Sequence, residues 1–215
     1  MSHSAEKLIA QIKQEIADGV LKPGDQLEEA ILAERFAVSR TPVREAVRSM
    51  VDAGLLERRP RKGAFVRCLT AKELLDLFEV AAELEGMACR LAANLMTRRN
   101  AEHIRAALSQ CKEAAQDGDT LRYGQANLTF HRAIQEASGN GWLIYQLRQM
   151  DLHINPYRGL PYEVRGRLKQ SMKEHQEIYE TIMSGDADHA RNLMHDHMLL
   201  QGQRLPSLLQ ALEVS

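Results

Sequence analysis

The chain has 215 residues, of which 44% are hydrophobic and 27% are charged, and its formal net charge is −1. No apolar run approaches the roughly 20 residues of a membrane-spanning helix, and the first residues lack the basic stretch and apolar core of a secretory signal. Three distant cysteines fit neither a disulfide framework nor a Cys-x-x-Cys metal site. Composition therefore predicts a cytoplasmic globular protein that does not enter a membrane, with each cysteine serving as a small buried hydrophobe.

Positive charge is concentrated in one short segment of the chain. Nine basic and three acidic residues lie between Arg35 and Arg67, whereas residues 68–215 carry 16 basic and 19 acidic residues. A local positive field on an otherwise acidic chain is expected where one small region binds a polyanion such as nucleic acid. From composition alone, the alternative is that these basic residues form a charged face that is exposed to solvent and binds no polyanion.

Two helices are predicted ahead of this basic segment. Apolar residues recur at helical spacing from Leu8 to Val20, and Pro23-Gly24 ends this first helix because proline cannot continue it. The second helix is short, with an apolar face that runs from Leu27 to Phe36 and a break at Ala37-Val38-Ser39.

A third predicted helix combines an apolar face with a row of arginines. Thr41 is its expected N-cap, Pro42 occupies the first helical position, and Gly54 follows its end. Residues at four-residue spacing line its opposite edge, namely Arg40, Arg44 and Arg48. An arginine fork can bind a phosphate, or guanine O6 and N7, with two hydrogen bonds.

The next segment, from Leu55 to Arg67, predicts a β-hairpin with a basic tip. Two short strand-like pieces flank Arg61, Lys62 and Gly63. A basic hairpin that follows a helix-turn-helix is a wing, and its tip can enter the minor groove of DNA.

The chain from Leu32 to Val47, together with Gly54-Leu55-Leu56 and this wing, resembles the GntR family of transcription factors. The most specific part of the match is Val-Ser-Arg-Thr-Pro-Val-Arg-Glu-Ala at residues 38–46. The resemblance implies that Arg40 and Arg44 contact operator DNA, that Thr41 helps at the phosphates and that Gly63 lies at the wing tip. Helical geometry adds Arg48 to this set. Some relatives carry a basic residue at the start of the second helix, where this chain has Ala30.

Residues 70–215 predict an all-α domain. Thr70 and Glu73 form a capping-box pattern at the start of a long helix that runs to about Met96. Further helices are expected near residues 100–117, 120–137, 141–155, 163–184 and 187–204, because turn-forming residues interrupt the helical pattern between them. Six helices with short links favour an antiparallel bundle, so the whole chain is predicted to be mainly α.

Histidines on three of these helices are candidate metal ligands. Asn127 and His131 are four residues apart and share one helix face, and His175 and His197 lie on two later helices. Neutral imidazoles that converge inside a bundle can hold a divalent transition metal. Spacing alone also allows each histidine to be an ordinary surface or hydrogen-bonded core residue.

The same segment is similar to the ligand-binding domain of the FadR subfamily. The similarity rests on Asn127-Leu128-Thr129-Phe130-His131, Ser138-Gly139-Asn140, Glu174-His175 and Met194-His195-Asp196-His197. The six-helix count suits its shorter, VanR-like branch. The resemblance implies that His131, His175 and His197 bind zinc, nickel or a similar metal, which helps to hold a small carboxylate effector. His195 is expected to face away, because two residues rotate a helix by about 200°.

Two departures from the family pattern bear on the ligand. Asn127 stands where an aspartate is usual, so the amide oxygen brings no negative charge to a metal. Ala81 stands where an arginine usually meets the effector carboxylate. The stretch from Asn155 to Arg167 is rich in arginine and tyrosine, and its candidate substitutes are Arg158, Arg165, Tyr157, Arg167 and Tyr162. The alternative for this stretch is a solvated interhelical loop.

These observations predict a DNA-binding transcription regulator, a repressor, modulated by a small organic acid. Residues 1–69 are assigned to a winged helix-turn-helix and residues 70–215 to an effector-binding and dimerisation domain. A homodimer is expected on a near-palindromic operator. A metal-dependent enzyme using His131, His175 and His197 is one alternative, although no general base is evident beside them. A metal-free sensor that binds an organic anion directly is the other.

Overall fold

The structure is a computed structural model that describes residues 2–17, 19–158, 162 and 164–213. The chain divides into two compact units, Met1–Thr70 and Ala71–Ser215. Within the described residues, no helix combines the length and the apolar character that crossing a membrane requires.

The first unit is a winged helix-turn-helix, as the sequence predicts. Its elements are α1 (His3–Ala17), β1 (Gln26–Leu27), α2 (Glu29–Arg35), α3 (Arg40–Asp52), β2 (Leu56–Arg59) and β3 (Gly63–Val66). The three strands form an antiparallel sheet in the order β1-β3-β2. Strands β2 and β3 make the hairpin, with Arg59 opposite Gly63 at its closed end.

The core of this unit lies between α1 and α3. Helix α1 buries Leu8, Ile12 and Ile16, and α3 buries the apolar face that its sequence predicts. That face consists of Val43, Ala46, Val47 and Met50. Because these residues occupy one side of α3, the arginines at four-residue spacing are left on the exposed side.

Several predicted details of the first unit are wrong. Leu27 lies in β1 opposite Ala64, so the second helix begins later than predicted. Leu27 and Ile31 are four residues apart, a spacing that fits a helix face and equally a strand end followed by a helix, which explains the error. Helix α3 begins at Arg40 with Ser39 as its N-cap, and Pro42 is its third residue. The first turn tolerates proline there because its N–H groups have no helical acceptor.

Two single residues in this unit are also more exposed than predicted. Val20 is 67% exposed, because α1 ends at Ala17 and the apolar pattern does not continue into the turn. Cys68 is exposed, unlike Cys89 and Cys111, which are buried as predicted.

The second unit is all-α in its described residues, as predicted. It contains α4 (Ala71–Asn94), α5 (Arg98–Asp117), α6 (Thr120–Ala137), α7 (Gly141–Arg158), α8 (Arg167–Ser184) and α9 (Ala187–Glu213). Side-chain caps start two of these helices: Thr97 Oγ1 accepts a hydrogen bond of 3.2 Å from Asn100 N, and Asp119 Oδ1 accepts one of 2.9 Å from Arg122 N. Such caps satisfy N–H groups that the helix itself leaves without acceptors.

Helices α4 and α9 pack closely because two glycines remove side chains from their contact. A Cβ atom on Gly86 would lie 3.0 Å from the Arg191 carbonyl oxygen, and one on Gly202 would lie 2.7 Å from Phe78 Cβ. This close approach brings the buried face of α9, which carries His197, against α4.

Candidate DNA-binding surface and three-histidine site

The predicted DNA-binding residues all lie on the surface of the first unit. The α3 members Arg40, Thr41, Arg44 and Arg48 and the wing members Arg61, Lys62 and Gly63 are exposed. Helix α3 is the second helix of the helix-turn-helix, the element that enters the major groove in proteins with this motif. Their charge and exposure suit contacts with phosphates and base edges.

Glu29, which the sequence analysis did not select, joins the recognition helix to the wing. Its carboxylate accepts a hydrogen bond of 3.2 Å from Arg44 Nε and one of 3.3 Å from Arg58 Nη2. These exposed ion pairs contribute little to stability. They do orient the Arg44 guanidinium, and the only sequence signal for this role is an acidic residue at the start of α2.

The wing tip has a fixed backbone conformation. Arg61 and Gly63 both have positive φ, at 62° and 95°, and Gln26 Nε2 donates a hydrogen bond of 2.7 Å to the Lys62 carbonyl oxygen. A non-glycine residue with positive φ is uncommon and marks a tight turn. The turn presents Arg61 and Lys62 on the outside of the hairpin.

The second unit brings the three predicted histidines together. His131 on α6, His175 on α8 and His197 on α9 are buried, and each offers one nitrogen within 4.8 Å of the others. Their ring centroids are 4.8–5.7 Å apart. By contrast His195, two residues before His197, lies 3.4 Å from Glu83 and outside the cluster.

Each histidine has a polar neighbour at its Nδ1 atom. His197 Nδ1 lies 2.6 Å from Glu174 Oε2, His131 Nδ1 lies 3.3 Å from Glu85 Oε1, and His175 Nδ1 lies 3.4 Å from the Tyr123 hydroxyl. Metal-bound histidines characteristically direct their second ring nitrogen to such a partner, which fixes the tautomer and the ring orientation.

The opposite ring nitrogens are available for a ligand. Nε2 of His131 and Nε2 of His175 have no hydrogen-bond partner among the described residues. His197 Nε2 lies 2.8 Å from Gln201 Nε2, which also donates to the Tyr162 hydroxyl. His131 Nδ1 also has no hydrogen bond among the described residues, and three buried imidazole nitrogens without partners cost free energy unless something binds them.

Burial keeps the histidines neutral. It lowers the pKa of His131 to about 3 and the pKa of His175 well below its ordinary value. Burial also lowers the pKa of His197 to about 4, although Glu174 opposes the change. The neutral imidazole is the form that donates an electron pair to a metal.

Asn127 lies one helical turn before His131 and shares its helix face. It is fully buried, and neither its Oδ1 nor its Nδ2 atom has a partner within the described ranges. Three neutral imidazoles are a donor set that zinc, nickel and similar metals accept, and an amide oxygen can add a further ligand. The residues present therefore fit a divalent transition metal.

Beside His131 lies a buried network of charged residues. Arg158 donates a hydrogen bond of 2.8 Å from Nη2 to Asp151 Oδ1, and the same Nη2 atom is 3.8 Å from Glu85 Oε1. Gln135 Nε2 donates to Glu85 Oε1 at 3.0 Å. Burial raises the pKa of Glu85, and the Arg158 charge opposes that rise. Glu85 is one turn after Ala81 on α4, so Arg158 reaches the neighbourhood of that position from another helix.

The solvated-loop alternative for residues 155–167 is wrong for most residues that the structure describes there. Helix α7 continues through Pro156 to Arg158. The stretch buries Tyr157, Arg158, Tyr162 and Arg167, whereas Arg165 is exposed. Residues 159–161 and 163 lie outside the described residues.

Arg167 forms the other flank of the histidine cluster. It is fully buried and donates a hydrogen bond of 2.8 Å from Nη1 to Glu174 Oε2, the atom that also contacts His197. Sequence reasoning missed Glu85, Gln135 and Gln201 as neighbours of the site. Gln201 lies one helical turn after His197, which is a usable signal, whereas Glu85 and Gln135 become neighbours only when α4 packs against α6.

Two family profiles match the chain. The profile of the bacterial regulatory proteins of the gntR family matches residues 4–66, and the profile of the FCD domain matches residues 76–200. The chain belongs to the GntR family. Its FCD domain, a ligand-binding effector domain, covers more than half of the chain and assigns it to the FadR-like subfamily.

Relatives and solved structures agree with this assignment. A probable D-xylose utilization operon transcriptional repressor from Paenarthrobacter nicotinovorans is 32% identical, covering 87% of this chain and 82% of that protein. The HTH-type transcriptional regulator LutR of Bacillus subtilis is 28% identical, covering 85% and 92%. The structure of E. coli McbR/YncC covers 98% of this chain and 99% of its own, with a TM-score of 0.81 at 24% identity, and shares the fold. The chain is therefore a DNA-binding transcription regulator with an effector domain.

Proposed function

We propose that this regulator is a homodimeric cytoplasmic repressor whose binding to a near-palindromic operator is modulated by a small carboxylate. A divalent transition metal held by His131, His175, His197 and Asn127 contributes to the effector site. Residues 1–69 bind the operator, and residues 70–215 bind the effector and dimerise.

One observation carries the metal and effector part of this proposal. Three buried neutral histidines from three helices have polar neighbours at Nδ1, and two of their Nε2 atoms lack partners. An ordinary buried histidine uses both nitrogens, because an unpaired one costs roughly 1–3 kcal/mol. A bound divalent metal would supply a positive charge and open coordination positions to which carboxylate oxygens bind.

Arg158 is the best supported of the candidate effector residues. It is buried, its Nε and Nη1 atoms have no hydrogen-bond partner among the described residues, and it belongs to the network beside His131. We assign it the effector carboxylate, because a guanidinium binds a carboxylate through two parallel hydrogen bonds. Tyr157 is buried next to it in the chain, and we assign it to the lining of the effector site. Arg165 is exposed, so any contact it makes is at the entrance.

The proposed dimer uses an apolar stripe that runs along α4 and one residue beyond its end. Residues at helical spacing form it: Val80, Leu84, Met87, Leu91 and Leu95. Val80 and Leu95 are 54% and 55% exposed, and the other three are partly buried against Leu143 and Leu147 of α7. A continuous apolar stripe of this kind is characteristic of a protein–protein interface.

The charges in the groove beside the stripe indicate that a second copy of the chain binds there. Between α4 and α9, it carries both acidic and basic side chains, Glu83, Asp188, Arg90 and Arg191. A two-fold interface places a surface against itself, so a patch with both signs of charge is self-complementary. Two copies would present two α3 helices to major grooves about 34–36 Å apart, which requires a near-palindromic operator.

The effector acts by binding the operator-bound and free conformations with different affinities. A ligand with equal affinity for both conformations cannot change operator occupancy, however tightly it binds. The proposal therefore requires the carboxylate to make different contacts in the two conformations, and operator binding measured with and without it gives the direction of the change.

Elemental analysis of tag-free protein purified without chelators tests the metal site. We expect about one metal per chain in the wild type and a large loss in His131→Ala, because a ligand is removed. His195→Ala is the matched control, since His195 lies outside the cluster, and it should retain the metal. Metal retained by His131→Ala would refute the site. Absence of metal from the wild type would favour the metal-free sensor instead.

A further inference from the structure

Glu29 places a carboxylate among the basic residues of the predicted DNA-binding surface. It is the first residue of α2, and its two oxygens have different partners. Oε2 accepts a hydrogen bond from Arg44 Nε on α3, and Oε1 accepts one from Arg58 Nη2 on β2. A negative charge at this place opposes the binding of any polyanion. The acidic side chain must therefore have another effect that offsets this loss of affinity.

Stability of the first unit does not account for this carboxylate. The side chains of Arg44 and Arg58 are 65% and 54% exposed, and that of Glu29 is 27% exposed. Ion pairs between groups that are this accessible to solvent contribute little to stability. An acidic residue at the start of a helix also favours the helix, but Glu28, one residue earlier, supplies the same charge.

The contact with Glu29 changes how the Arg44 guanidinium can meet DNA. It uses Arg44 Nε and not the two terminal nitrogens, which can together bind guanine O6 and N7. A side chain that is already held in one orientation loses less entropy when it binds its target. The adjacent negative charge also repels a phosphate that the same guanidinium would otherwise attract. Both effects favour a base edge over the DNA backbone.

We propose that Glu29 is a specificity-determining residue, which positions Arg44 for a base edge and opposes pairing of Arg44 with phosphates. Arg58 holds the second carboxylate oxygen, so the Glu29 side chain is fixed from two sides. Glu29 then lowers the affinity for DNA of any sequence more than the affinity for the operator. This inference rests on the proposed function, because it assumes that Arg44 contacts operator bases.

Selection of duplexes from a pool with a randomised centre tests this role in the full-length protein. Arg44→Ala should lose the base preference at one position of each half-site, because it removes a base contact. Glu29→Gln should relax the preference at that same position, because a neutral amide holds a guanidinium more weakly than a carboxylate does. Glu28→Gln, at an exposed position, makes the same change of charge and should keep the wild-type preference.

Affinities for two duplexes measure the size of the effect. Fluorescence anisotropy compares the duplex that the wild type selects with a scrambled duplex of the same length and composition. In Glu29→Gln the ratio of the two affinities should fall by about two- to five-fold, the range for one exposed ion pair. Binding of the scrambled duplex should also depend more steeply on salt, by about one unit of log–log slope, because the released guanidinium neutralises a further phosphate. A purely structural role would instead lower the melting temperature and leave this ratio unchanged.

The outcomes separate this inference from the assignment of Arg44 to the operator. If Arg44→Ala loses the base preference but Glu29→Gln keeps both the preference and the ratio, the inference is overturned and the assignment stands. Equal changes in Glu28→Gln and Glu29→Gln would also overturn it, because any acid near the surface would then act alike. If Arg44→Ala keeps the wild-type preference, both the inference and the assignment are wrong.

Discussion

At the scale of single residues, Arg44 is the side chain on which sequence and structure agree most closely for DNA binding. It is exposed on α3, and Glu29 orients its guanidinium without enclosing it. We predict that Arg44→Ala weakens specific operator binding by about 1–3 kcal/mol, the range for one lost base contact. Fluorescence anisotropy with labelled operator measures this loss.

Arg98→Ala is the matched control for that substitution. Arg98 is an exposed arginine in the second unit, paired with Glu102 one turn later, so its removal changes the net charge equally. Its operator affinity should stay within about two-fold of the wild type, which corresponds to less than 0.5 kcal/mol. Equal losses in both variants would mean that α3 contributes only general positive charge.

The three buried histidines predict an unusual pH dependence for the metal-free protein. Their pKa values in the folded state lie below the ordinary value of 6.5, at about 3 for His131 and about 4 for His197. As the pH falls from 7 to 5, the unfolded chain takes up protons that the folded chain does not. The free energy of unfolding should therefore fall, by at most about 2 kcal/mol per histidine. The raised pKa of Glu85 acts in the opposite direction but involves one group.

Urea unfolding in the presence of a chelator at pH 7 and pH 5 measures this dependence. His131→Gln removes one titrating group and should reduce the pH dependence by about a third, since the remaining two histidines still titrate. An unfolding free energy that is unchanged between the two pH values would show that the histidines are accessible to protons in the folded state.

At the scale of elements, the close packing of α4 and α9 determines where the site forms. Both helices contribute residues that contact the histidine cluster, Glu85 from α4 and Gln201 from α9. Their approach depends on glycine, because a Cβ atom on Gly202 would lie 2.7 Å from Phe78 Cβ. The position of the site therefore depends on the residues where α4 and α9 cross, and less on where either helix begins or ends.

Gly202→Ala should destabilise the second unit by about 1–3 kcal/mol, the usual cost of overpacking a well-packed core. Thermal unfolding monitored by circular dichroism measures the change. Gly141→Ala is the control: a Cβ atom there meets nothing within 4 Å, and alanine is the better helix former. A Gly202→Ala protein as stable as Gly141→Ala would show that α4 and α9 can separate at little cost.

At the scale of the whole molecule, the proposed homodimer makes operator binding depend on two copies of the chain. Leu84 lies in the middle of the α4 stripe and lines the adjoining groove. We predict that Leu84→Arg yields a monomer in sedimentation experiments, because a buried guanidinium without a partner opposes association. Operator affinity should then fall by about 10²–10⁴-fold. In a dimer, binding of one copy holds the second copy close to its half-site, and a monomer lacks this effect.

Leu121→Arg provides the comparison for the dimer prediction. Leu121 is 76% exposed on α6 and is not part of the stripe, so this substitution should leave the oligomeric state and operator affinity unchanged. A Leu84→Arg protein that remains dimeric would place the interface elsewhere on the effector domain.

The sequence by itself determined features that depend on one element at a time. Helical periodicity predicted the six helices that the described residues of the second unit form, and the turn residues after β2 predicted the wing. The run from Val38 to Ala46 identified the family before any contact was known. Asn127 and His131 share a helix face because they are four residues apart, whereas the choice of His131, His175 and His197 as one set came from the resemblance to the family.

Only the tertiary structure decided which residues from different helices meet. Glu85 and Gln135 are 50 positions apart, and no periodicity within α4 or α6 indicates that they share a hydrogen bond. Arg158 enters the core because Asp151, two turns earlier on α7, compensates its charge there. Leu27 joins β1 because a strand partner is available in β3. The spacing of residues along a chain predicts which face of an element is buried, but the chemical partner on that face depends on how the elements pack.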